Sequence, residues 1–423
     1  MRGAMGYGSG MRDRELYRHL LGLSEPWAVS RVELKVSERR VDAWVEHSKG
    51  QRWTCGECGQ ACPLHDHESE RSWRHLDSCH FQTYLQARVP RVNCPEHGVR
   101  QVRVPWAEPM SRFTLLFERL AIDVLMETSV EGGAALLGLS WDEAHHIMER
   151  AVVRGLARRE VKPPRQMGVD EKSFRRGQDY VTVLNDLEKG CVVEVAQGRS
   201  KKALLECLKD YTPNQLAQVE AVAMDMAAPY IELVKDVVPE AQSKIVFDRY
   251  HIAAHVNKAV DQVRRQENRA LCKQEDQRLV GTKYWWLYGE ENLPERYQLD
   301  FDALRASNLK TGRAWAIKES LRQFWNCPDA ETGVKLWKRW YFWATHSRLE
   351  PVKRVAAMIE RHLPNVMTYF VHPITNAVSE GLNTTIQMLK KRAYGYRSFA
   401  NFRVAILFHC GGLELYPVVP AVL

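Results

Sequence analysis

The sequence predicts an α+β chain of several domains, and three observations support this. Near the N-terminus, two pairs of residues that can bind a metal ion flank short segments in which apolar and polar side chains alternate, as they do in strands. Two helices joined by a glycine-containing turn come next, and strands that end in aspartate alternate with helices further on. The chain also has 423 residues, which exceeds what one hydrophobic core usually organises. We therefore expect roughly two to four domains of mixed α and β structure.

Composition narrows the partners and the compartment. Lysine plus arginine outnumber aspartate plus glutamate by 60 to 52, and a net charge of +8 favours a polyanionic partner without establishing one. The sequence holds no long uninterrupted apolar run and no apolar central region of a secretory signal, so we expect a soluble intracellular protein. Half of the ten cysteines crowd into a stretch before residue 100. In a cytosolic chain such crowding indicates metal binding rather than disulfides.

The first domain is predicted to hold a structural zinc ion. Its ligands are expected from two C-x2-[CH] pairs: Cys55, Cys58, Cys94 and His97. Each pair can present two ligands from a tight turn to a tetrahedral Zn²⁺. Between the pairs, residues 71–77 and 83–92 alternate apolar and polar side chains, which predicts strands. Three further residues lie close enough to replace His97 as the fourth ligand: Cys62, His65 and His67.

A helical pair follows. Apolar residues recur at helical spacing over residues 113–127, and a second unit comprises residues 130–137, a turn through Gly138 and a helix with Ser140 as its N-cap. This is the pattern of a helix-turn-helix, whose second helix enters the major groove of DNA. We predict that this helix exposes its DNA-contacting side chains near its start: Trp141, His145 and His146. An ordinary helical hairpin that links two domains is the alternative.

Beyond residue 164 the order of elements predicts a ribonuclease H-like core. Strands are expected at five runs: 167–174, 180–186, 191–196, 219–225 and 244–248. Helices follow the third, fourth and fifth runs, and this succession is that of a ribonuclease H-like mixed sheet with flanking helices. In that sheet the first and fourth strands lie side by side, which places Asp170 beside Asp225. A later helix brings Glu380 to the same point.

Asp170, Asp225 and Glu380 are predicted to form a catalytic site with two metal ions. Carboxylates that converge repel one another unless divalent cations compensate them, and oxygen ligands suit Mg²⁺ or Mn²⁺. Two such ions about 4 Å apart can activate a water or a 3′-hydroxyl and stabilise the leaving oxygen of an in-line phosphodiester displacement. An aspartate after a strand is also often the N-cap of the next helix, which is the alternative for Asp225. The same alternative applies to Asp248, which competes with Asp225 for the second position and is otherwise a neighbour of the site.

The helix that carries Glu380 has one polar face. At helical spacing this face also carries Asn383, Gln387 and Lys391, whereas leucine and isoleucine residues occupy the other side. We expect Asn383 and Gln387 to face the scissile region of DNA. The cations near the end of the helix are predicted to contact the flanking phosphates: Lys390, Lys391, Arg392 and Arg397.

The chain between Asp248 and Glu380 is too long for one connection and holds seven of the thirteen tryptophans, which predicts a helical insertion with its own core. Within it, Trp337 and the run Lys338, Arg339 and Trp340 can stack on unpaired bases or clamp a strand. Packing in the insertion core is the alternative, and it is the more frequent use of tryptophan at helical spacing.

These motifs together resemble one family, the bacterial insertion-sequence transposases of the ISL-three group. The resemblance covers nearly the whole chain after about residue 15. It rests on the zinc pairs and on the segments 168–171, 224–226 with Tyr230, 247–251, 376–383 and 391–397. The resemblance implies a DDE catalytic core in which Asp170, Asp225 and Glu380 hold two Mg²⁺ ions, with the insertion between the second and third of them. The family's last knuckle is usually Cys-x2-Cys, whereas here it ends in His97.

The resemblance implies a DNA transposase. Such an enzyme binds the terminal inverted repeats of its element, cleaves at the ends and joins the 3′-hydroxyls to target DNA. Pairing of two ends implies a homodimer or a larger synaptic assembly, in the bacterial cytoplasm and on the nucleoid when DNA is bound. An inactive DNA-binding regulator and a structure-specific nuclease are the alternatives. The expected domains are a disordered leader (1–15), a zinc-binding β domain (16–108), the helix-turn-helix (109–163), the catalytic core (164–258 and 370–415) and the helical insertion (259–369).

Overall fold

The computed structural model describes residues 13–175, 179–374 and 377–419, which form two compact units. The first unit contains the described residues up to 159 together with 413–419, and the second contains those from 160 to 412. The predicted disordered leader lies outside the described residues except for residues 13–15, which begin the first helix. Within the described ranges, no helix is long and apolar enough to cross a membrane.

The first unit begins with helix α1 (Asp13–Leu20) and continues as a β domain. Its strands are β1 (Trp27–Lys35), β2 (Arg40–His47), β3 (Trp53–Thr54), β4 (Ala61–Cys62), β5 (Leu64–His67), β6 (Arg71–Ser78), β7 (Phe81–Ala87), β8 (Pro90–Cys94) and β9 (Gly98–Gln101). They form a four-stranded sheet in the order β1-β2-β7-β6, a three-stranded sheet in the order β5-β8-β9, and the pair β3-β4. The apolar faces enclose one core, which includes Trp73, Leu85 and the thiols of Cys55, Cys62 and Cys94.

The run predicted as one strand over residues 83–92 is two strands, β7 and β8, in different sheets. The break precedes Pro90, which has no backbone N–H and therefore begins a strand more readily than it continues one. The strand predicted over residues 71–77 agrees with β6 to within one residue.

Three helices complete the first unit: α2 (Leu115–Glu127), α3 (Val130–Leu137) and α4 (Trp141–Arg158). Local signals set their ends. Thr114 and Ser129 cap α2 and α3 through their side-chain oxygens, and Gly138, with φ 66°, ends α3 in the left-handed conformation. Ser140 and Glu143 form a reciprocal capping box at the start of α4. The helix pair and its turn therefore lie where the sequence predicts them.

Residues 413–419 pack within the first unit, although the sequence pattern places residues 413–415 in the catalytic core. Arg158 on α4 donates hydrogen bonds to the carbonyl oxygens of Glu414 and Tyr416 at 3.2 and 2.7 Å. The hydroxyl of Tyr416 donates to Asp123 on α2 at 2.6 Å. This segment has neither helical nor strand periodicity, so the local sequence gives no sign of its contact with α2 and α4.

The second unit is built on a five-stranded mixed sheet. Its strands are β10 (Gln166–Ser173), β11 (Tyr180–Asp186), β12 (Cys191–Gln197), β13 (Ala221–Met224) and β14 (Ile245–Phe247). They lie in the order β12-β11-β10-β13-β14, in which β11 is antiparallel to both neighbours and β13 is parallel to both β10 and β14. The first and fourth strands of this unit are therefore adjacent, with Gly168 opposite Ala223.

Helices surround this sheet and extend beyond it. They are α5 (Lys201–Leu208), α6 (Pro213–Leu216), α7 (Ala228–Val237), α8 (Ala241–Lys244), α9 (Arg249–Cys272), α10 (Lys283–Leu287), α11 (Gln298–Ala306), α12 (Lys310–Arg322), α13 (Ala330–His346), α14 (Glu350–Arg361), α15 (Leu363–Met367), α16 (Ala377–Arg392) and α17 (Phe399–Cys410). Helices α5 and α17 pack on β12, and α16 packs on β10 and α17. The sheet thus holds α16, which carries Glu380, against its central strand.

Helix α9 joins the sheet to the helical insertion. It crosses the predicted boundary between residues 258 and 259 without interruption, because Val256, Val260 and Val263 continue its buried face. Helices α12 and α14 pack along α9. One cluster of buried side chains extends from the strands through α9 to the tryptophans of the insertion. The insertion therefore shares the core of the sheet, contrary to the expectation of a separate core.

Candidate active site and zinc cluster

Four side chains of the first unit converge on one point: Cys55, Cys58, Cys94 and His97. Their ligand atoms all lie within 4.8 Å of one another. The Sγ atoms of Cys58 and Cys94 are 3.7 Å apart, and Cys94 Sγ lies 3.5 Å from Nδ1 of His97. Around a tetrahedral zinc, two thiolates at their usual bond length are about 3.8 Å apart, and a thiolate and an imidazole nitrogen about 3.5 Å. The cluster therefore has the donor set and the spacing of a structural Zn²⁺ site.

Two turns bring these ligands together. The carbonyl oxygen of Cys55 accepts a hydrogen bond from the backbone N–H of Gly59 at 2.9 Å, which closes the first turn. The hairpin of β8 and β9 supplies the second turn. A Cβ at Gly56 would lie 2.8 Å from the carbonyl oxygen of Gln101, so this glycine lets the two turns approach. The hydrogen bond with His97 lowers the pKa of the Cys94 thiol to about 6, which favours the thiolate form that zinc requires.

The three substitutes for His97 lie in other surroundings. Cys62 is buried beside the cluster, but its thiol donates to the carbonyl oxygen of Gln60 at 3.3 Å. His67 pairs with His47, with their Nε2 atoms 2.8 Å apart. His65 is exposed, 4.0 Å from Asp66. Of the four candidates for this position, the structure brings His97 into the cluster.

The start of α4 presents the side chains predicted to contact DNA. Trp141 is 43% exposed, and its ring stacks on that of His145 with centroids 4.8 Å apart and an interplanar angle of 16°. His146 is exposed on the next position. Ile147 and Met148 are buried and fix the opposite face of the helix. The first turns of α4 therefore carry a polar and aromatic surface toward solvent.

A buried ion-pair network holds α4 against α2. Glu118 on α2 is almost fully buried and pairs with Arg154 and Arg150 on α4 at 2.9 and 3.1 Å. Glu108 pairs with the same two arginines. Burial raises the pKa of Glu108, but the hydrogen bond with Arg154 and the charges of both arginines outweigh it and hold the pKa below its ordinary value. Breaking such a network leaves a buried charge uncompensated, so it fixes the angle between the two helices.

In the second unit a cleft of about 1020 Å³ opens beside β10 and α16. The sheet, α9 and α16 contribute Asp170, Glu171, Asp248, Glu380, Asn383, Gln387 and Lys391 to its lining. The insertion contributes Glu290, Glu291, Glu319, Arg322 and Trp325. Two of the three carboxylates predicted to be catalytic, Asp170 and Glu380, therefore share one cleft. Among the described residues, the carboxylate oxygens of Asp170, Asp225 and Glu380 are not as close to one another as the ligand atoms of the zinc cluster.

Contacts between α16 and β10 fix the geometry of the cleft. The side-chain amide of Asn383 donates a hydrogen bond to Oδ2 of Asp170, and Lys390 Nζ donates to the carbonyl oxygen of Ser173 at 2.7 Å. A Cβ at Gly168 would lie 2.8 Å from Leu187 Cδ2 and 2.9 Å from Ser379 Oγ, so the glycine allows α16 to lie this close. The polar face of α16 is thereby held over the strand that carries Asp170.

Asp225 directly follows β13 and is not among the residues that line the cleft. Since Ala223 is paired with Gly168, Asp225 lies two residues further along the adjacent parallel strand, level with Asp170. Its Oδ1 accepts a hydrogen bond from the backbone N–H of Ala227 at 3.0 Å. This bond orders the turn before α7, but the N-cap of α7 is Ala227 and receives no side-chain cap, so Asp225 is not the N-cap that the alternative expects.

Glu171 is a carboxylate of the cleft that the sequence reasoning did not single out. Burial, followed by the negative charge of Asp225, raises the pKa of Glu171. Glu171 also hydrogen-bonds with Tyr230, whose hydroxyl lies 2.8 Å from Oγ1 of Thr182. The available signal was its position, because it directly follows Asp170 in a strand that has neighbours on both sides.

Asp248 lines the cleft and also caps α9, since its Oδ1 accepts a hydrogen bond from the backbone N–H of Tyr250 at 2.9 Å. Its Oδ2 lies 3.7 Å from Nε2 of His251. Both uses considered for this residue, as a cap and as a neighbour of the site, are therefore compatible with its position.

The remaining residues that were predicted to contact DNA lie in different environments. Lys391 lines the cleft, whereas Arg392 and Arg397 are exposed outside its lining. Trp337 and Trp340 are buried, and their indole N–H groups donate to Glu360 at 2.7 Å and to the carbonyl oxygen of Ile317 at 2.8 Å. These two tryptophans therefore serve packing, which was the alternative to base stacking.

Three family models match successive parts of the chain. A zinc-finger of transposase IS204/IS1001/IS1096/IS1165 matches residues 51–97, a helix-turn-helix domain of transposase family ISL3 matches residues 102–152, and an ISL3 model described as a transposase matches residues 167–406. The chain is also 28% identical to a transposase for insertion sequence element IS1557 of Mycobacterium tuberculosis over 417 residues, which cover 92% of this chain and 93% of that protein. It is 25% identical to a transposase for insertion sequence element IS1001 of Bordetella parapertussis, over 94% of this chain and 98% of that protein.

Proposed function

The chain belongs to the ISL3 family of transposases, and from this we propose that its second unit cleaves and joins DNA strands with Asp170, Asp225 and Glu380 as the catalytic carboxylates. One observation carries the proposal. Glu380 and Asp170 line the same cleft, and Asn383, from the same face of α16 as Glu380, hydrogen-bonds to Asp170. The strand order β12-β11-β10-β13-β14 supports a ribonuclease H-like core, because that fold also places its first and fourth strands side by side.

The donors at this site fit Mg²⁺ or Mn²⁺. They are carboxylate oxygens, joined by Oδ1 of Asn383, which is buried and has no hydrogen-bond partner among the described residues. Hard divalent cations prefer such oxygen ligands. Bound at Asp170, Asp225 and Glu380, two of these ions would supply Lewis-acid activation of the attacking oxygen and stabilise the leaving oxygen of a phosphodiester.

The polar face of α16 orients the strand to be cut. Lys391 lies about 16 Å beyond Glu380 along the helix axis, with Asn383 and Gln387 between them. In this arrangement Asn383 holds Asp170 through its amide, Gln387 faces the scissile region and Lys391 binds a flanking phosphate. Arg392 and Arg397 extend the contact outside the cleft, whereas Lys390 must release the carbonyl oxygen of Ser173 before it can reach a phosphate.

The first unit recognises the ends of the element in this proposal. The zinc cluster fixes the two turns of the β domain, and the ion-pair network of Glu118 and Arg154 fixes α4, whose first turns present Trp141, His145 and His146 to the major groove. Two ends must be paired for joining, so we expect a homodimer or a larger assembly on DNA. We expect the activity in the cytoplasm, with DNA of the nucleoid as the target.

Cleavage of DNA that carries an element end, with Mg²⁺ present, tests the proposal. The wild type is expected to nick the end and join it to a second duplex. Asp225→Asn and Glu380→Gln are expected to reduce both steps by at least about a thousandfold, since each removes charge that stabilises the metals by several kcal/mol. Binding of the uncut end should be retained in both variants.

Each other outcome identifies an alternative. Unchanged nicking by both variants would overturn the triad assignment. Binding without nicking by the wild type would indicate an inactive regulator, and hydrolysis without strand joining would indicate a nuclease.

Metal analysis tests the zinc site of the first unit. We expect about one zinc per chain from the four-ligand cluster, and retention of zinc by the Cys55→Ser/Cys58→Ser variant would contradict this expectation.

A further inference from the structure

Helix α13 turns its cations and two of its aromatic rings toward solvent. Its buried side consists of Gly333, Trp337, Trp340 and Ala344. The opposite side carries Lys338, Arg339, Phe342 and Trp343, which we name the α13 face. Phe342 is 64% exposed and Trp343 40% exposed, although the tryptophans one turn away are buried.

The α13 face has two parallel rows. Lys338 precedes Phe342 by four residues, and Arg339 precedes Trp343 by four, so in each row the Cβ atoms of the cation and of the aromatic residue are about 6 Å apart on the same side of the helix. Neither cation has an ion-pair partner among the described residues, whereas the neighbouring Lys335 pairs with Glu331 at 2.6 Å. The ring of His346 stacks on Phe342 with centroids 4.0 Å apart, which limits the motion of that ring.

We propose that the α13 face binds an unpaired segment of DNA, with Lys338 and Arg339 on phosphates and Phe342 and Trp343 stacked on bases. This rests on the proposed function, in which DNA is cut at an element end, and it further requires that bases beside the cut become unpaired. Aromatic rings stack on bases of any sequence, provided that the bases are exposed, and cations beside them follow the backbone. A duplex would offer the cations its phosphates, but its stacked bases would leave both rings in water.

The charge of the face selects this occupant over a second copy of the chain. Two unpaired cations beside exposed rings complement a polyanion with flat, apolar faces. Interface cores between proteins also favour aromatic rings and arginine, but they are depleted of lysine and of charge in general, so the two unpaired cations together distinguish the polyanion. The start of α13 lies near the cleft. Gly333 packs against Phe370 and Phe324, the second of which is the neighbour of Trp325 in the cleft wall, and Phe342 lies about 14 Å further along the helix axis. Since Gly333 is on the buried side of α13, an unpaired strand that leaves the cleft reaches the α13 face by passing around the helix.

The test measures binding of a labelled oligothymidylate of about 16 nucleotides, the upper end of a single-strand site, and of a duplex of equal length. Phe342→Ala and Trp343→Ala are each expected to weaken binding of the single strand about fivefold or more, with a smaller effect on the duplex. Lys338→Gln/Arg339→Gln is expected to reduce the slope of log affinity against log salt by about 1.4. Lys338, Arg339 and Phe342 are mostly exposed, so the melting temperatures of their variants should stay near that of the wild type, whereas Trp343 is 40% exposed and its variant is compared at a temperature where it is fully folded.

Matched controls lie elsewhere on the second unit. Tyr284→Ala removes a ring that is 63% exposed on α10, and Lys202→Gln/Lys273→Gln removes the same charge from two exposed positions. The controls are expected to bind the single strand within about twofold of the wild type, because distant surface charges are screened.

End cleavage by the wild type is measured in parallel, so that the two proposals can fail separately. Wild-type cleavage together with undiminished oligothymidylate binding by the α13 variants would overturn the inference and leave the transposase assignment in place. Weakened binding by these variants together with no wild-type cleavage would support the α13 face and overturn the proposed function. Loss of self-association without loss of DNA affinity would show that the face joins two copies of the chain, and the inference would be wrong.

Discussion

The zinc cluster takes its four ligands from two short segments of the first unit, whereas the carboxylates of the second unit come from residues 170, 225 and 380. The cluster is tight, with its ligand atoms within 4.8 Å of one another, and two hairpin-like turns suffice to build it. The cleft is open, at about 1020 Å³, and it needs the sheet, α9, α16 and the insertion together.

The stability of the two sites should therefore depend on different factors. Thiolates and an imidazole that already stand at zinc spacing gain most of their stability from the metal, so the first unit should depend on zinc. Carboxylates that repel one another are held apart by packing, so the cleft should survive without its cations and should instead depend on how closely α16 lies on β10.

Removal of zinc is expected to have the largest effect, and to be confined to the first unit. Structural zinc contributes about 10 kcal/mol or more in small zinc-binding domains at neutral pH. Chelation, or Cys58→Ser, should therefore abolish hydrogen-exchange protection in β3, β4, β8 and β9 while β10 and α16 remain protected. Cys272→Ser removes an exposed thiol of the second unit and serves as the control. Equal loss of protection in the two units would contradict the contrast.

Acidification should destabilise both units, but the first more steeply. His75 in the first unit is buried and His409 in the second is partly buried, and this burial lowers the pKa of each to about 4. The unfolded chain binds these protons near pH 6.5 and the folded chain does not, so the free energy of unfolding is highest above pH 6.5 and falls between pH 6.5 and 4. Each histidine contributes up to about 3 kcal/mol to this loss.

Zinc is expected to make the pH dependence of stability steeper in the first unit than in the second. Zinc binds the deprotonated forms of its ligands, so protons compete with the metal as the pH falls, and the loss of zinc adds to the effect of His75. Urea titrations followed by hydrogen exchange in each unit, from pH 7 to 4, measure the two slopes. His409→Gln should flatten the slope of the second unit. A second unit that loses stability as steeply as the first would show that zinc is not the distinguishing factor.

The sequence predicted what local spacing and chain order determine. The intervals between Cys55 and Cys58 and between Cys94 and His97 indicate the zinc cluster, and Ser140 with Glu143 marks the start of α4. The order of strands was enough to place Asp170 level with Asp225. It could not place Glu171 or Arg322 in the cleft, because packing between distant segments positions them. The sequence also could not show that the insertion and the sheet share one core. The apolar face of α9 is uninterrupted, and the same sequence pattern would result if α9 packed against two separate cores.

Gly168→Ala tests the dependence of the cleft on packing. The added Cβ would overlap Leu187 and Ser379, and overpacking of this kind costs about 1–3 kcal/mol. Since Ser379 belongs to α16, the helix must shift from β10 and the Asn383–Asp170 hydrogen bond should weaken. We expect end cleavage to fall by more than the loss of folded protein explains. Urea unfolding and Mg²⁺-dependent cleavage, measured on the same preparation, separate the two effects.

Gly381→Ala is the matched control for stability. Its Cβ would meet no atom within 4 Å on the exposed side of the same helix. Replacement of a helical glycine by alanine stabilises by up to about 1 kcal/mol. If Gly168→Ala and Gly381→Ala both destabilised the protein, α16 would tolerate no change at all. The close approach at Gly168 would then not explain the effect of Gly168→Ala.

The smallest effect is expected at Asp248, and it separates the two uses of an aspartate that follows a strand. As the cap of α9 this residue accepts one backbone hydrogen bond, a function that asparagine performs equally well, whereas alanine costs about 1 kcal/mol. If capping is its main role, Asp248→Asn should keep both stability and cleavage near wild-type values, and Asp248→Ala should lose stability alone. Asp225 accepts a similar hydrogen bond, yet Asp225→Asn should abolish cleavage, because its charge is assigned to the metals. Abolition of cleavage by Asp248→Asn, with Asp225→Asn still active, would exchange the two residues and move the second catalytic position one strand outward.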